Sequence, residues 1–147
     1  MRPTPRRSPR CWTSFRRRPS GHLRPPASFS GFAVDDLQKA QSFYGDALGL
    51  KTEILDETNG LMALHLAGDR DTLVYLRPGF TPASYTILNF PVESVDAAVD
   101  ELTGRGVVFE RYEGMGQDEK GISRADDGPV IAWFKDPAGN VLSILEQ

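Results

Sequence analysis

A pattern returns once along this chain, 58 residues further on, and it constrains the fold more than any other feature. Phe32-Ala33-Val34-Asp35-Asp36-Leu37 comes back as Phe90-Pro91-Val92-Glu93-Ser94-Val95. In each copy a short apolar run stops at Asp or Ser, whose side-chain oxygen can accept from the free amides of a helix's first turn. Asp35 and Asp36 are the cap candidates in the first copy, with Gln38 placed as in a capping box, and Ser94 is the candidate in the second. Helical spacing follows: Leu37, Ala40, Phe43, Tyr44, Ala47 and Leu48 up to Gly49, then Val95, Ala98, Val99 and Leu102 up to Gly104 and Gly106. Three β-rich runs follow each helix: Lys51–Leu55, Leu61–Leu66 and Thr72–Arg77 in the first half, Val107–Tyr112, Val130–Lys135 and Val141–Glu146 in the second. Asp136-Pro137-Ala138-Gly139-Asn140 makes the last hairpin turn. Both halves read strand–helix–strand–strand–strand. The shared order and lengths predict an α+β fold of two βαβββ modules, about 28–79 and about 84–146.

Charge separates this body from what precedes it. Eight of the 17 Lys+Arg and none of the 20 Asp+Glu fall in residues 1–27, so that segment carries +8 and the rest −11. With six prolines beside the eight arginines, residues 1–27 are expected to be a disordered extension, and residues 28–147 the domain. The extension lacks the apolar core of a secretory signal, and its prolines oppose the amphipathic helix of a transit peptide. Trp12 and Phe15 among the arginines suit nucleic-acid contact, but a body at −11 repels phosphate, so nucleic acid is not an expected partner. No apolar run approaches the ~18 residues of a membrane span, and a membrane partner is not expected either. The single cysteine, Cys11, lies in the extension, which excludes a cysteine nucleophile, a Cys-based zinc site and an intrachain disulfide from the domain. A thiol-free domain is compatible with the reducing cytoplasm, where the protein is placed.

The ordered set Phe32–Leu37, Ser42-Phe43-Tyr44-Gly45 with Leu48-Gly49-Leu50, Phe90-Pro91-Val92 and Asp136–Asn140 resembles the vicinal oxygen chelate superfamily. That family includes glyoxalase I, bleomycin-resistance proteins and extradiol dioxygenases. The resemblance covers roughly residues 28–146. It implies that the two modules form a curved mixed sheet around a cleft, and that the protein is a homodimer, as many members are. The family's metalloenzymes hold a divalent cation in the cleft with His and Glu ligands from four strands. The corresponding places here are Phe29, Ile87, Ser143 and the strand Thr72–Arg77, which contains no His, Asp or Glu. Residues 27–31, 85–89 and 141–145 contain none either. Phe and Ile offer no atom to a hard or borderline cation, so no metal and no cofactor are expected. His65 is the domain's one histidine, with Glu110 and Glu146 the nearest carboxylates by strand membership for a non-standard site.

Strand residues alternate faces, so the neighbours of those places should line the same cleft. Gly31, Ala33, Asn89, Val141 and Leu145 follow from this, with Leu73, Tyr75 and Arg77 sharing a face and Trp133 and Lys135 pointing away from the helices. The candidate ligand-binding set is Phe29, His65, Tyr75, Ile87, Asn89, Trp133, Lys135 and Ser143; no catalytic residue is identified. A lining so rich in apolar and aromatic groups suits a small-molecule ligand. The polar stretch Tyr112–Ser123 is long enough for a lid, with Met115, Gln117 and Lys120 as its closing residues. The function that follows is a small-molecule-binding protein of sequestering or resistance type. The alternative is a metal-dependent glyoxalase- or dioxygenase-type enzyme with a non-standard site.

Overall fold

The computed structural model describes residues 28–147. The expected disorder of the extension concerns residues outside that range. Strand β1 (Ser30–Val34) leads into α1 (Leu37–Gln41), then β2 (Lys51–Asp56), β3 (Leu61–Leu66) and β4 (Arg70–Leu76). The second module repeats the order with β5 (Thr86–Val92), α2 (Val95–Gly104), β6 (Ile122–Ser123), β7 (Ile131–Lys135) and β8 (Val141–Glu146). Each module closes one four-stranded mixed sheet, ordered β1-β4-β3-β2 and β5-β8-β7-β6. In both, the first strand runs parallel to the last and the remaining pairs are antiparallel. The fold is thus α+β, two βαβββ modules.

The helices start where the caps predict. Asp36 accepts from the Lys39 amide at 3.0 Å, and Ser94 from the Ala97 amide at 3.2 Å. After Gln41 the first helix widens into a π-helix over Ser42–Ala47, with the Leu48 amide reaching back to Phe43 O at 3.0 Å. The wider turn sets two successive aromatic residues, Phe43 and Tyr44, into the core, edge to face at 5.2 Å. Gly49, at φ 71°, then ends the helix in a conformation that costs an L side chain.

One face of each sheet packs on the helices. Val34, Met62, Leu64 and Val74 from the first sheet and Ala132, Phe134, Leu142 and Ile144 from the second share one core with Ala40, Tyr44, Val95 and Val99. Polar ties join the modules as well. The fully buried Tyr44 hydroxyl donates to Asp136 Oδ2 at 2.7 Å, and Asn140 Nδ2 donates to Ala33 O at 2.8 Å. Burial, and then the Asp136 carboxylate, hold the Tyr44 phenol far above its ordinary range, so it stays a donor. Pro91 sits in β5 without loss because β5 is an edge strand, where a missing amide breaks no ladder.

The second module departs from expectation at its outer strand. Val107–Tyr112 forms no ladder: Phe109 makes a single bridge to Phe134, and the Glu110 amide donates to Trp133 O at 2.7 Å. The chain then leaves the sheet for residues 111–121, and β6 takes over the pairing with β7 at Ile122↔Ala132 and Ser123↔Ile131. Gly114, Gly116 and Gly121, all at positive φ, give this excursion its turns. Strand β4 also begins two residues earlier than expected and so includes Asp71. No helix among the described residues is long and apolar enough to cross a membrane.

Candidate functional site

The face of each sheet turned away from the helices carries six of the eight predicted residues. In the first sheet, cross-strand register aligns Gly31, Leu73, Ala63 and Glu53 in one row, flanked by His65 opposite Asp71 and by Tyr75 opposite Leu61. His65 is held from both sides: Nδ1 lies 2.9 Å from Asp71 Oδ1 and Nε2 lies 3.0 Å from Glu53 Oε2. The carboxylates near His65 are therefore Glu53 and Asp71, in place of the expected Glu110 and Glu146. Alternation on β2 points to Glu53; Asp71 lies one residue before the expected strand Thr72–Arg77 and so falls outside it.

The equivalent row of the second sheet is Asn89, Ser143, Trp133 and Glu110. Ser143 is fully buried and its hydroxyl donates to Asn89 Oδ1 at 2.6 Å. That leaves the Asn89 amide nitrogen, on an exposed residue, facing outward. The half-buried Trp133 indole meets the Tyr112 ring edge to face at 5.8 Å. Lys135 is exposed, with Nζ 4.0 Å from Glu110 Oε2. The Tyr112 hydroxyl is covered and has no hydrogen-bond partner among the described residues. Partial burial, and then Glu110, push the Tyr112 phenol up, so it too remains a donor.

A third feature lies at the seam between the edge strands β1 and β5. A cavity of about 400 Å³ is bounded by Ser30, Gly31 and Ala33 on one side, Thr86 and Ile87 on the other, and Phe80 and Tyr85 from the connection between modules. Ile87 stands at a break in register between Thr86 and Leu88, lines this cavity and also packs against the core. A Cβ on Gly31 would come within 3.1 Å of Leu73 O, so the cavity has bare backbone for part of its wall. Phe29 precedes β1, half exposed, outside the lining. The structure thus divides the predicted set three ways: His65 and Tyr75 on the first sheet, Asn89, Trp133, Lys135 and Ser143 on the second, and Ile87 at the seam.

The excursion is pinned rather than poised as a lid. Gln117 turns inward, accepting from the Tyr112 amide at 2.6 Å and donating to Glu110 O at 2.9 Å and Gly121 O at 2.7 Å. Asp118 Oδ1 accepts from the amides of Lys120 and Ile122, and Arg111 donates to the carbonyls of Asp118 and Glu119. Lys120 pairs with Asp100 at 2.7 Å and Arg124 with Asp96 at 2.7 Å, which anchors the excursion to α2. A single inward glutamine closing a loop on three backbone groups leaves no periodic trace, so the sequence hid it.

The residues at the four implied ligand places do not fit a metal. Phe29 and Ile87 have no donor atoms, and the Ser143 hydroxyl is committed to Asn89. On β4, Asp71 is the one carboxylate of the strand's exposed-side row, and it faces the His65 ring. Glu53 and Asp71 flank opposite nitrogens of that ring, and among the described residues no three His, Cys, Asp or Glu side chains converge on a point.

Comparison with known proteins follows the same lines. Residues 22–144 match the family model described as Glyoxalase/Bleomycin resistance protein/Dioxygenase superfamily. No curated protein matches the chain. Among solved structures, a member of that superfamily from Sphaerobacter thermophilus is 24% identical, with a TM-score of 0.62 over 82% of this chain and 98% of the other. TnmS3, an antibiotic binding protein from a Streptomyces species, is 23% identical, with a TM-score of 0.61 over 84% and 98%. The fosfomycin resistance protein FosX from Listeria monocytogenes is 14% identical, with a TM-score of 0.65 over 85% and 95%. At these identities the likeness is one of fold.

Proposed function

The chain belongs to the glyoxalase/bleomycin resistance protein/dioxygenase superfamily, and on that premise we propose that it is a metal-independent small-molecule-binding protein of sequestering or resistance type. The observation that carries this reading is the chemistry of the ligand places: Phe29, Ile87 and Ser143 cannot hold a cation, while the helix-free faces and the seam present aromatic and hydrogen-bonding groups. An aromatic platform with a few placed polar atoms is how proteins hold organic ligands. The antibiotic-binding and fosfomycin-resistance proteins of like fold accord with it. We place the protein in the cytoplasm as a homodimer; sedimentation at micromolar concentration tests the second point.

The binding test uses the full chain carrying Trp12→Phe, so that Trp133 reports alone. It is titrated with fosfomycin, bleomycin and a panel of aromatic antibiotics, with and without EDTA. Saturable change of Trp133 fluorescence, unaffected by EDTA, is expected for at least one compound. Silence across the panel, or a response that EDTA abolishes, overturns the reading.

One observation favours a second reading, an enzyme. His65 lies between Glu53 and Asp71, and a carboxylate-oriented imidazole is the usual device for proton transfer. Stoichiometric nickel, zinc, iron or manganese after metal-supplemented purification would move the assignment to the metalloenzyme side.

A further inference from the structure

We infer that Tyr112 is a specificity-determining residue, and that the second sheet's open face takes a planar aromatic ligand bearing carbonyl-type acceptor oxygens. The inference deepens the small-molecule reading and rests on it. It starts from a cost. A hydroxyl removed from water without a partner destabilises the protein that carries it. Tyr112 Oη is in that position among the described residues. It is no accident of a loose loop: the Tyr112 amide is fixed by Gln117 at 2.6 Å, and the ring rests edge-on against Trp133 at 5.8 Å.

The surroundings define what would satisfy it. Burial and the Glu110 charge keep the phenol protonated, so it seeks an acceptor. The same face offers two further donors, the Asn89 amide nitrogen, left over after its oxygen accepts from Ser143, and the exposed Lys135 ammonium, which keeps N–H groups free of its long 4.0 Å contact with Glu110. Three donors on the face that carries the Trp133 indole suit a flat ring system with oxygens at its edge, stacked on or beside Trp133. Because Tyr112 Oη is covered in the free protein, such a ligand reaches it by displacing the edge-to-face contact between Tyr112 and Trp133.

Two soluble probes of one shape separate the acceptor from the ring: anthraquinone-2-sulfonate, and anthracene-2-sulfonate, which lacks the two carbonyl oxygens. Affinities are measured by calorimetry on the full chain, and melting temperatures without ligand. Wild type is expected to prefer the quinone about tenfold or more. Tyr112→Phe should lose that preference yet melt higher than wild type, because it removes the unpartnered hydroxyl. Trp133→Leu should weaken both probes. The assignment is overturned if Tyr112→Phe keeps the preference, or if it melts lower, which would mean the hydroxyl already has a structural partner. Loss of binding in Trp133→Leu with the preference intact in Tyr112→Phe would leave the small-molecule reading standing and sink Tyr112 alone. Failure of both probes to bind wild type would reject this ligand class, while the antibiotic panel judges the broader reading separately.

Discussion

The two modules can be compared row by row across their open faces. Gly31-Leu73-Ala63-Glu53 in the first sheet occupies the places of Asn89-Ser143-Trp133-Glu110 in the second. Both rows end on a glutamate of the outer strand, and each glutamate has a basic group on the neighbouring strand: His65 at 3.0 Å from Glu53, Lys135 at 4.0 Å from Glu110. The helix-facing sides of these strands are alike, apolar and packed into the one core. The open sides are not. The first row is mostly apolar, with the ionisable groups at its end locked together; the second carries an indole and a hydrogen-bonded Ser143–Asn89 pair, and its ion pair is looser and more exposed. One backbone plan used twice has kept its core in both copies while the chemistry of its open faces has diverged.

Four experiments put that contrast to the test. The largest effect should come from the shared core. Phe134 is fully buried and touches Phe43 of the first module and Phe109 of the second. Phe134→Ala should cost about 3–5 kcal/mol in a denaturant melt. The melt should stay a single transition; two would mean that the modules are independent. Next is Gln117→Ala, which strands the carbonyls of Glu110 and Gly121 and the Tyr112 amide at a cost of about 1–3 kcal/mol. Amide exchange should quicken at Tyr112 and Ile122 but hold at the pairs of β3 with β4, confining the effect to the second module.

A smaller loss, about 1 kcal/mol, is expected for His65→Ala, which leaves Glu53 and Asp71 without the imidazole between them. Urea midpoints should fall while any Trp133 titration is unchanged; a change in ligand affinity would show that the first sheet also contributes to the site. The smallest effect concerns pH. Desolvation works against it, yet the amides of Ile122 and Lys120 and the Arg124 guanidinium hold the Asp118 carboxyl below the usual carboxylate range. A carboxylate whose folded pKa is depressed stabilises above its unfolded pKa and loses that contribution as pH falls through the folded value. Exchange protection at Ile122 should therefore decline below about pH 4 in wild type, and Asp118→Asn should remove most of that dependence.

The fold was legible because it is written in repeated, local signals. Caps at Asp36 and Ser94, apolar spacing to Tyr44 and Val99, and period-two strands each follow from side-chain geometry within a few residues. The open faces were legible only in part. Alternation placed Asn89, Trp133, Lys135 and Ser143 on one side of the second sheet, where register has them. The partners of His65 were visible only in part: alternation on β2 puts Glu53 on its face, whereas the start of β4 decides whether Asp71 counts. The pinning of residues 111–121 escaped for a like reason. Its polar, glycine-bearing composition reads as a mobile loop, whereas the side chains of Gln117, Asp118 and Arg111 spend themselves on nearby backbone.

The detour in the outer strand has a consequence for how this scaffold can vary. Pairing with β7 stops at Glu110 and resumes at Ile122, and Gln117 binds the two ends of the gap together. What lies between is not free of the sheet: Gln117 bridges Ser123 and the Asp118 amide donates to Ile122 O at 2.9 Å, so the returning arm folds back on β6. Length can therefore change without shifting β6 only ahead of that return, at the turns of Gly114 and Gly116, and any change must leave Gln117 in place to hold the two ends together.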